Sequence, residues 1–376
     1  MGQISTVRSR RFLGLDVHKA TIAVAVAEDD DQQPQMWDTI PNEPGAVRSM
    51  VRKLSRGGVE LKAAYEAGPT GYGLCRQLLG LGVDCMVVVP TLIERPRGRV
   101  KTDKRDAILL ARLLRRGDLT PIWIPDEEHE ALRALVRARY DAKEEHHRAR
   151  QRMNKFLLQM GIRVPAGIKP WTKRYHQWLK EGVQLAQPPA QVVFEDNRRV
   201  EQQAEERVRH LEQELRTWSA ENPRVALMIE ALQILRGIGF LTAATIAIEV
   251  GDFRRFATAP GFMNFIGLTP SEHSSGESQH RGGITRAGNR YLRHVMVQSA
   301  HHSRHVPNVS RERGERMKEM PKELVEIGLR AQGRLHYRYR TLSRRIGRPK
   351  SIVAVARELS GFVLEVGHHI EELRAA

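Results

Sequence analysis

The sequence predicts an α/β domain followed by two mostly α-helical regions. Short apolar runs alternate with amphipathic segments only as far as about residue 125, two long charged helical patterns fill residues 126–230, and apolar helices dominate the remainder. The chain has 376 residues, which is too many for one typical domain, and its hydrophobic content of 41% is enough for more than one core. We therefore expect three domains, residues 1–125, 126–230 and 231–376.

The first domain reads as three strands, helix, strand, helix, strand, helix. The strands fall at residues 12–17, 21–27, 36–40, 61–66 and 85–90, and the helices at residues 43–56, near 74–81 and from 103 onward. That order is typical of the ribonuclease H-like fold, in which helices cover a mixed sheet.

Four carboxylates stand where this fold could bring them together. Asp16 interrupts the first strand, Glu66 ends the fourth, and Asp103 and Asp106 begin the last helix. A charge in an apolar strand is costly unless it is paired, and helical residues three apart lie on one face. Because carboxylate oxygens suit Mg²⁺ or Mn²⁺, the four acids predict a paired-metal site for phosphodiester chemistry.

Three of the four acids also have a purely structural interpretation. Asp16 could be a turn residue at a strand end. Asp103 and Asp106 could simply stabilise the start of a helix that Thr102 caps, because acids in the first turn favour the helix dipole.

Basic residues surround the acids and dominate the end of the chain. Lys101, Lys104 and Arg105 interleave with Asp103 and Asp106, a mixture that suits metal and phosphate together. The net charge is +17, of which +5 lies in residues 1–125, +2 in 126–230 and +10 in 231–376. This excess predicts a nucleic-acid partner, bound mainly by the C-terminal region, although an inert basic surface is the alternative.

Composition also bounds the cellular setting. Cys75 and Cys85 both lie in apolar-leaning segments, which suits core thiols in a reducing cytoplasm. No run approaches ~20 apolar residues, and no secretory core follows the basic N-terminus. We expect a cytoplasmic protein without a membrane segment.

The central region predicts two long helices, residues 127–160 and 191–220. Their nearly balanced charge suggests an antiparallel hairpin or coiled coil used for spacing or self-association, with solvated structural helices as the alternative. Trp171, Tyr175 and Trp178 lie between them, and core packing is a better interpretation of these rings than base stacking.

The C-terminal region contains two segments with chemical potential. Gly237-Ile-Gly239, between two helices of which the second opens at Leu241, predicts a helix-hairpin-helix whose backbone N–H groups approach a phosphate, or else a tight turn without a ligand. Residues 267–289 read as a long polar loop in which composition singles out no serine, although an activated serine can be a nucleophile. Arg281, Arg286 and Arg290 could bind phosphates there. Further helices are expected at residues 253–267, 291–303 and 351–368.

Five motifs in this order give the chain a family resemblance. They are Leu-Asp16-Val-His-Lys, Tyr-Glu66-Ala-Gly-Pro-Thr-Gly-Tyr, Val-Lys-Thr-Asp103-Lys-Arg-Asp106-Ala, Gly237-Ile-Gly239, and Gly267-Leu-Thr-Pro followed by Ser275-Gly276. Over nearly its whole length the chain resembles the DEDD transposases of bacterial insertion sequences, recombinases with a RuvC-like N-terminal domain that a bridge RNA guides.

The resemblance implies roles for particular residues. Asp16, Glu66, Asp103 and Asp106 would be the metal-binding tetrad. Ser275 would be the nucleophile that attaches covalently to DNA; Ser274 stands beside it, and the following Gly276 favours Ser275. No motif residue of the family is missing.

The resemblance also implies partners. An RNA encoded by the element would pair with both target and donor DNA. The protein would form dimers that assemble into a tetramer through the middle helices, and the carboxylates and serine would meet across subunits.

Three functions therefore compete at this point. The leading hypothesis is an RNA-guided, Mg²⁺-dependent DNA recombinase that excises and inserts its own element. The second is a metal-dependent, structure-specific nuclease, such as a junction resolvase, in which water attacks and no covalent serine intermediate forms. The third is a non-enzymatic nucleic-acid-binding protein, which leaves Asp16 and Glu66 unexplained.

Overall fold

A computed structural model describes residues 9–30, 32–89, 102–275 and 278–375, without the side chains of residues 272–281. The chain forms two compact units, Met1–Ile124 and Pro125–Ala376. No helix within the described ranges is both long enough and apolar enough to cross a membrane.

The first unit is built on a five-stranded mixed sheet. Its elements are β1 (Arg10–Val17), β2 (Thr21–Glu28), β3 (Gln35–Pro41), α1 (Pro44–Leu54), β4 (Glu60–Glu66), α2 (Gly73–Gly80), β5 (Asp84–Val88) and α3 (Asp103–Arg116). The sheet order is β3-β2-β1-β4-β5; β1, β4 and β5 are parallel, while β2 is antiparallel to β1 and to β3. The predicted α/β class is confirmed, and the arrangement is compatible with a ribonuclease H-like domain.

Helices cover both faces of this sheet. On one face, α1 and α2 pack Met50 and Leu78 against Leu13, Leu15 and other buried strand residues. Cys75 and Cys85 belong to this core as free thiols, as predicted. On the other face, α3 packs against a surface made largely of small residues. The strands contribute Phe12, Ala23, Ala25, Ala27 and Ala64 to this contact, and α3 contributes Ala107, Ala111 and Leu114.

The second unit is mostly helical. Its elements are α4 (Glu127–Gln159), α5 (Lys173–Glu181), α6 (Pro188–Glu221), α7 (Pro223–Leu232), α8 (Phe240–Val250), α9 (Ala259–Ile266), β6 (Pro270–Ser275), β7 (Ser278–Ile284), α10 (Arg290–Ala300), α11 (Arg311–Lys318), α12 (Lys322–Ile346) and α13 (Arg348–Ala375). Short 3-10 turns lie at Phe253–Arg255 and His301–Arg304. The sequence did not predict α5, α11 or the 25-residue α12 as helices.

The two long helices α4 and α6 pack against each other in antiparallel directions. Ion pairs join Arg139 to Glu212 and Arg150 to Glu201, so the residue numbers fall along α6 as they rise along α4. Between them, Tyr175 is fully buried beside the partly buried Trp171 and Trp178, in agreement with core packing of the aromatic cluster. Helix α6 begins earlier than predicted, because Pro188 occupies the first turn, where proline costs no hydrogen bond.

The predicted loop at residues 267–289 is wrong for most of its length. Strands β6 and β7 pair there as an antiparallel hairpin, with His273 opposite His280 and Ser275 opposite Ser278. The polar composition suggested a loop, but a hairpin needs only backbone pairing and a short connection. Gly276 and Glu277, which follow β6 in the sequence, lie outside the described part of the chain.

Candidate active site

The first two site residues follow neighbouring parallel strands. Leu15 of β1 lies opposite Tyr65 of β4, so Asp16 and Glu66 come next on adjacent strands at the same edge of the sheet. Ligands and catalytic groups in open α/β sheets collect at the carboxyl ends of the strands. The sheet register therefore brings Asp16 and Glu66 to one place.

Gly14 brings helix α3 to the same place. A Cβ at Gly14 would lie 2.0 Å from the Ala107 carbonyl oxygen and 2.4 Å from the Ala111 nitrogen, so only glycine fits. Side chains alternate along a strand, which puts Asp16 on the face of the sheet that α3 covers. Because Asp103 precedes Ala107 by one helical turn, the helix begins beside the end of β1.

The start of α3 favours negative charge. The backbone N–H groups of a first helical turn and the positive end of the helix dipole stabilise nearby carboxylates. Thr102 occupies the N-cap position with an extended backbone, but its side chain makes no capping hydrogen bond, so that part of the prediction is wrong. Asp103 and Asp106 both lie in the first turn.

His18 is a site residue that sequence reasoning missed. Its Nε2 atom lies 3.4 Å from Oδ2 of Asp16 and 3.3 Å from Oδ2 of Asp103. One potential ligand atom from each of the three residues falls within 4.8 Å of the others, a spacing that can hold one metal ion. The available signal was strand periodicity, because residues two apart in extended chain share a face.

The electrostatics of Asp16 connect the remaining acids to this cluster. Burial raises the pKa of Asp16, His18 opposes that rise, and the negative charges of Asp103, Asp106 and Glu66 add to it. All four predicted carboxylates are therefore near enough to interact. Glu66 and Asp106 do not belong to the tight three-atom group.

This donor set fits a divalent cation. Mg²⁺ and Mn²⁺ both prefer carboxylate oxygens as ligands, and Mn²⁺, the softer ion, accepts a neutral imidazole more readily than Mg²⁺ does. A cation would also relieve the repulsion that raises the pKa of Asp16.

The nearby basic residues are placed on the surface. Lys104 and Arg105 are exposed in the first turn of α3, and Lys101 lies outside the described residues. The mixture of acids and exposed bases at one helix start suits a site that handles a phosphate beside a metal.

The predicted serine lies at the end of a hairpin strand. Ser274 pairs with Gln279 and Ser275 with Ser278, but the side chains of both serines are outside the described part of the structure. The base of the hairpin is closely packed: a Cβ on Gly267 would lie 2.3 Å from the Ala287 carbonyl oxygen, and a Cβ on Gly288 would lie 2.4 Å from that of Phe265.

The predicted arginines around the hairpin differ in setting. Arg290 is exposed at the start of α10, 3.5 Å from Asp141, and its guanidinium lies over the Tyr291 ring. Arg286 adopts a left-handed backbone with φ of 55°, which is uncommon for a non-glycine residue. The side chain of Arg281 is not among those described.

The two glycines of the predicted turn between helices, Gly237 and Gly239, have different structural roles. Gly237 has φ of 86°, and a Cβ there would lie 2.6 Å from the Ser299 carbonyl oxygen. Gly239 is the N-cap of α8, which begins at Phe240, one residue earlier than predicted.

Comparison with known proteins identifies the family of the chain. Residues 13–162 match the family model for DEDD transposases of IS110 elements, described as "Transposase", and residues 229–315 match that of the "Transposase IS116/IS110/IS902 family". The protein named "Putative transposase y4qE" from Sinorhizobium fredii is 40% identical over 96% of this chain and 89% of its own length. The transposase for insertion sequence element IS1533 from Leptospira borgpetersenii is 29% identical over 89% and 97%.

A third relative has a different name. The "Pilin gene-inverting protein" of Moraxella bovis is 29% identical over 54% of this chain and 53% of its own length. The family matches and the long, closely similar relative together identify the chain as a member of the IS110-type DEDD transposases of insertion sequences, enzymes that act on DNA.

Proposed function

We propose that the protein is an RNA-guided, Mg²⁺-dependent DNA recombinase that excises and inserts its own element. The observation that carries the chemical part of this proposal is the convergence of Asp16, Glu66, Asp103 and Asp106 at one end of a mixed sheet. A non-enzymatic binding protein would have no use for this costly cluster.

The four carboxylates would hold the metal ions, and His18 would be a further ligand or would orient Asp16 and Asp103. Bound divalent ions would stabilise negative charge on the attacking and leaving oxygens of a phosphodiester. Lys104 and Arg105 would position the DNA strand through its phosphates.

Ser275 would be the nucleophile. Its hydroxyl oxygen would form a bond to phosphorus while the bond to one sugar oxygen breaks, and the serine proton would end on that leaving oxygen. Attack by the hydroxyl of the partner strand would reverse these changes, rejoin DNA and release the serine. The number of phosphodiester bonds is conserved, so no energy source is needed.

The partners in this proposal are donor DNA, target DNA and an RNA encoded by the element. Support comes from the basic character of residues 281–350, which contain 18 Lys and Arg against 5 Asp and Glu. The protein would act as dimers that assemble into a tetramer, with α4 and α6 contributing to the contacts.

The test uses purified protein, Mg²⁺, labelled donor and target DNA, and RNA from the noncoding end of the element. Products are separated on denaturing gels before and after protease. We expect a protease-sensitive DNA adduct that needs the RNA and is lost in Ser275→Ala and Asp16→Asn. Ser274→Ala is the matched control and should keep the adduct.

Other outcomes are equally informative. Cleavage without an adduct, lost in Asp16→Asn but kept in Ser275→Ala, would replace the recombinase with a metal-dependent nuclease in which water attacks. An adduct that is lost in Ser274→Ala and kept in Ser275→Ala would move the nucleophile by one residue. Equal activity with and without RNA would contradict the proposed role of the RNA as a guide.

A further inference from the structure

A large cavity in the second unit is not used by the carboxylate site or the hairpin. It lies among the end of α6, α7, the turn that contains Gly237 and Gly239, the start of α8, and residues 302–316. Its volume of about 940 Å³ is that of a small-molecule site, which is typically roughly 300–1,000 Å³, and it exceeds what one phosphate group needs.

The cavity is lined by more positive than negative charge. Arg216, Arg236, Arg313 and Arg316 line it, against Glu230 and Glu312, and Glu312 is already paired with Arg316 at 3.3 Å. The guanidinium of Arg216 lies over the Phe240 ring, 4.4 Å from its centroid. This excess of positive charge favours an anionic ligand over a cationic one.

Two buried polar atoms in the lining residues lack partners. Ser219 is 1% exposed and Arg313 is 7% exposed; Oγ of the first and Nε of the second have no hydrogen-bond partner among the described residues. A buried donor or acceptor without a partner costs roughly 1–3 kcal/mol. The guanidinium of Arg313 is held in place by donating from Nη2 to the carbonyl oxygen of Asn308 at 2.8 Å.

Helix α8 presents its N-terminus to the same cavity. Its N-cap is Gly239, which has no side chain with which to cap the first turn. Backbone N–H groups at the start of a helix, together with the helix dipole, favour a phosphate. Ile238 and Phe240, on either side of Gly239, add apolar surface.

We propose that this cavity binds one unpaired nucleotide of a nucleic-acid strand. Its phosphate would be held by the N-terminus of α8 with Arg236 and Arg313, and its base would pack against Phe240 and Ile238. The size and apolar surface of the cavity favour a whole nucleotide over a backbone phosphate alone. This inference rests on the proposed function, because it needs a nucleic-acid partner.

The test fills the cavity without disturbing the fold. A Cβ at Gly239 meets no atom within 4 Å, and its φ of −91° suits any residue, so Gly239→Glu puts a carboxylate into the cavity. An acid at a helix N-terminus does not destabilise the helix. The matched control is Gly333→Glu on α12, where a Cβ also meets nothing and the net charge changes equally.

The probes are two fluorescent single strands of one sequence, a DNA strand with 4-thiothymidine and an RNA strand with 4-thiouridine. Anisotropy measures affinity in the full-length protein, and photocrosslinking followed by trypsin locates the contact. We expect Gly239→Glu to bind at least one strand about tenfold more weakly than wild type, and Gly333→Glu to bind as wild type does. The crosslink should map to the peptide of residues 237–254, which begins in the cavity.

Comparison of the two strands identifies whether DNA or RNA supplies the nucleotide. Wild-type affinity in Gly239→Glu, an equal loss in Gly333→Glu, or crosslinks only elsewhere would overturn this inference while leaving the recombinase proposal intact. If wild type bound neither strand nor the duplex DNA of the recombination assay, both would fail.

Discussion

At the residue scale, Asp16 decides how the site behaves. It follows four fully or nearly buried residues of β1 and is itself only partly exposed. Burial and three neighbouring carboxylates raise its pKa, so its charged form is disfavoured when no cation is bound. The charged form of Asp16 therefore costs stability in the metal-free protein, and a bound divalent ion would relieve that cost.

Replacing Asp16 should separate stability from activity. A carboxylate whose folded pKa is raised contributes stability below its unfolded pKa, and that contribution is lost as pH rises through the folded pKa. We therefore expect Asp16→Asn to raise the melting temperature of metal-free protein at pH 7 and to lower DNA cleavage at least about a hundredfold. Thermal unfolding in EDTA and a cleavage assay measure the two effects. Asp118→Asn is the control, and a lower melting temperature in Asp16→Asn would contradict this electrostatic account.

His18 should matter more for one metal than for the other. Imidazole is a better ligand for Mn²⁺ than for the harder Mg²⁺. We expect His18→Gln to weaken Mn²⁺ binding about tenfold and to change Mg²⁺ binding less, measured by titration calorimetry. If His18→Gln bound both Mn²⁺ and Mg²⁺ as tightly as wild type does, His18 would not be a ligand in the site.

At the element scale, the contact between β1 and α3 positions half of the carboxylates. The helix lies close to the sheet because Gly14 has no side chain and the surfaces on both sides are rich in alanine. Any residue that pushes α3 away also moves Asp103 and Asp106 away from Asp16 and Glu66.

Gly14→Ala tests that positioning role. The added methyl group would overlap backbone atoms of α3, so we expect a loss of roughly 1–3 kcal/mol in the free energy of unfolding together with weaker metal binding. Denaturant titration and calorimetry provide the two measurements. Gly80→Ala, where a Cβ meets nothing, is the control. Unchanged metal affinity in a folded Gly14→Ala protein would show that the helix position is not critical.

The α4–α6 pair depends on a buried charge. Glu201 is 1% exposed and accepts hydrogen bonds from His146 and Arg150, each at 2.9 Å. Removing one member of such a cluster leaves the others uncompensated, so Glu201→Gln should cost roughly 3–5 kcal/mol of unfolding free energy. Trp171, over which Arg150 stacks, offers a local fluorescence signal. The exposed Glu206→Gln should change stability by less than about 0.5 kcal/mol, and an equally small effect of Glu201→Gln would contradict the account.

The sequence predicted elements better than it predicted contacts. Strands β1 and β4 were recognisable as short apolar runs, and Asp16 stood out because a carboxylate in such a strand is rare. The metal-binding role of the four acids stays a prediction. His18 was missed because strand periodicity places it on the same face as Asp16 but does not reveal that Asp103 lies beside it in the fold. The β6–β7 hairpin was missed because its pairing relies on backbone hydrogen bonds, and α12 because its many arginines obscured an apolar face that includes Leu324, Ile327 and Leu335.

At the scale of the whole molecule, the proposed function assigns nucleic-acid binding and chemistry to different residues. Most of the excess positive charge lies in residues 231–376, whereas the carboxylates lie in the first unit. We therefore expect Asp16→Asn to bind DNA as tightly as wild type. Affinity should fall about a thousandfold or more between 50 and 200 mM salt in both proteins, because binding releases counterions from phosphates. Filter binding at several salt concentrations measures this, and a loss of binding in Asp16→Asn would contradict the separation.

The central claim is that the carboxylates at the start of α3 and the ends of β1 and β4 form the metal centre. The most direct measurement is a Mn²⁺ titration of four proteins: wild type, Asp16→Asn, Asp103→Asn and Asp118→Asn. The electron paramagnetic resonance signal of the free ion reports how much Mn²⁺ remains unbound at each step. Asp118 is exposed just beyond the other end of α3, so it controls for the lost charge. The account predicts that wild type and Asp118→Asn bind Mn²⁺ alike and that both other variants lose at least one ion. Equal binding by all four proteins would contradict it.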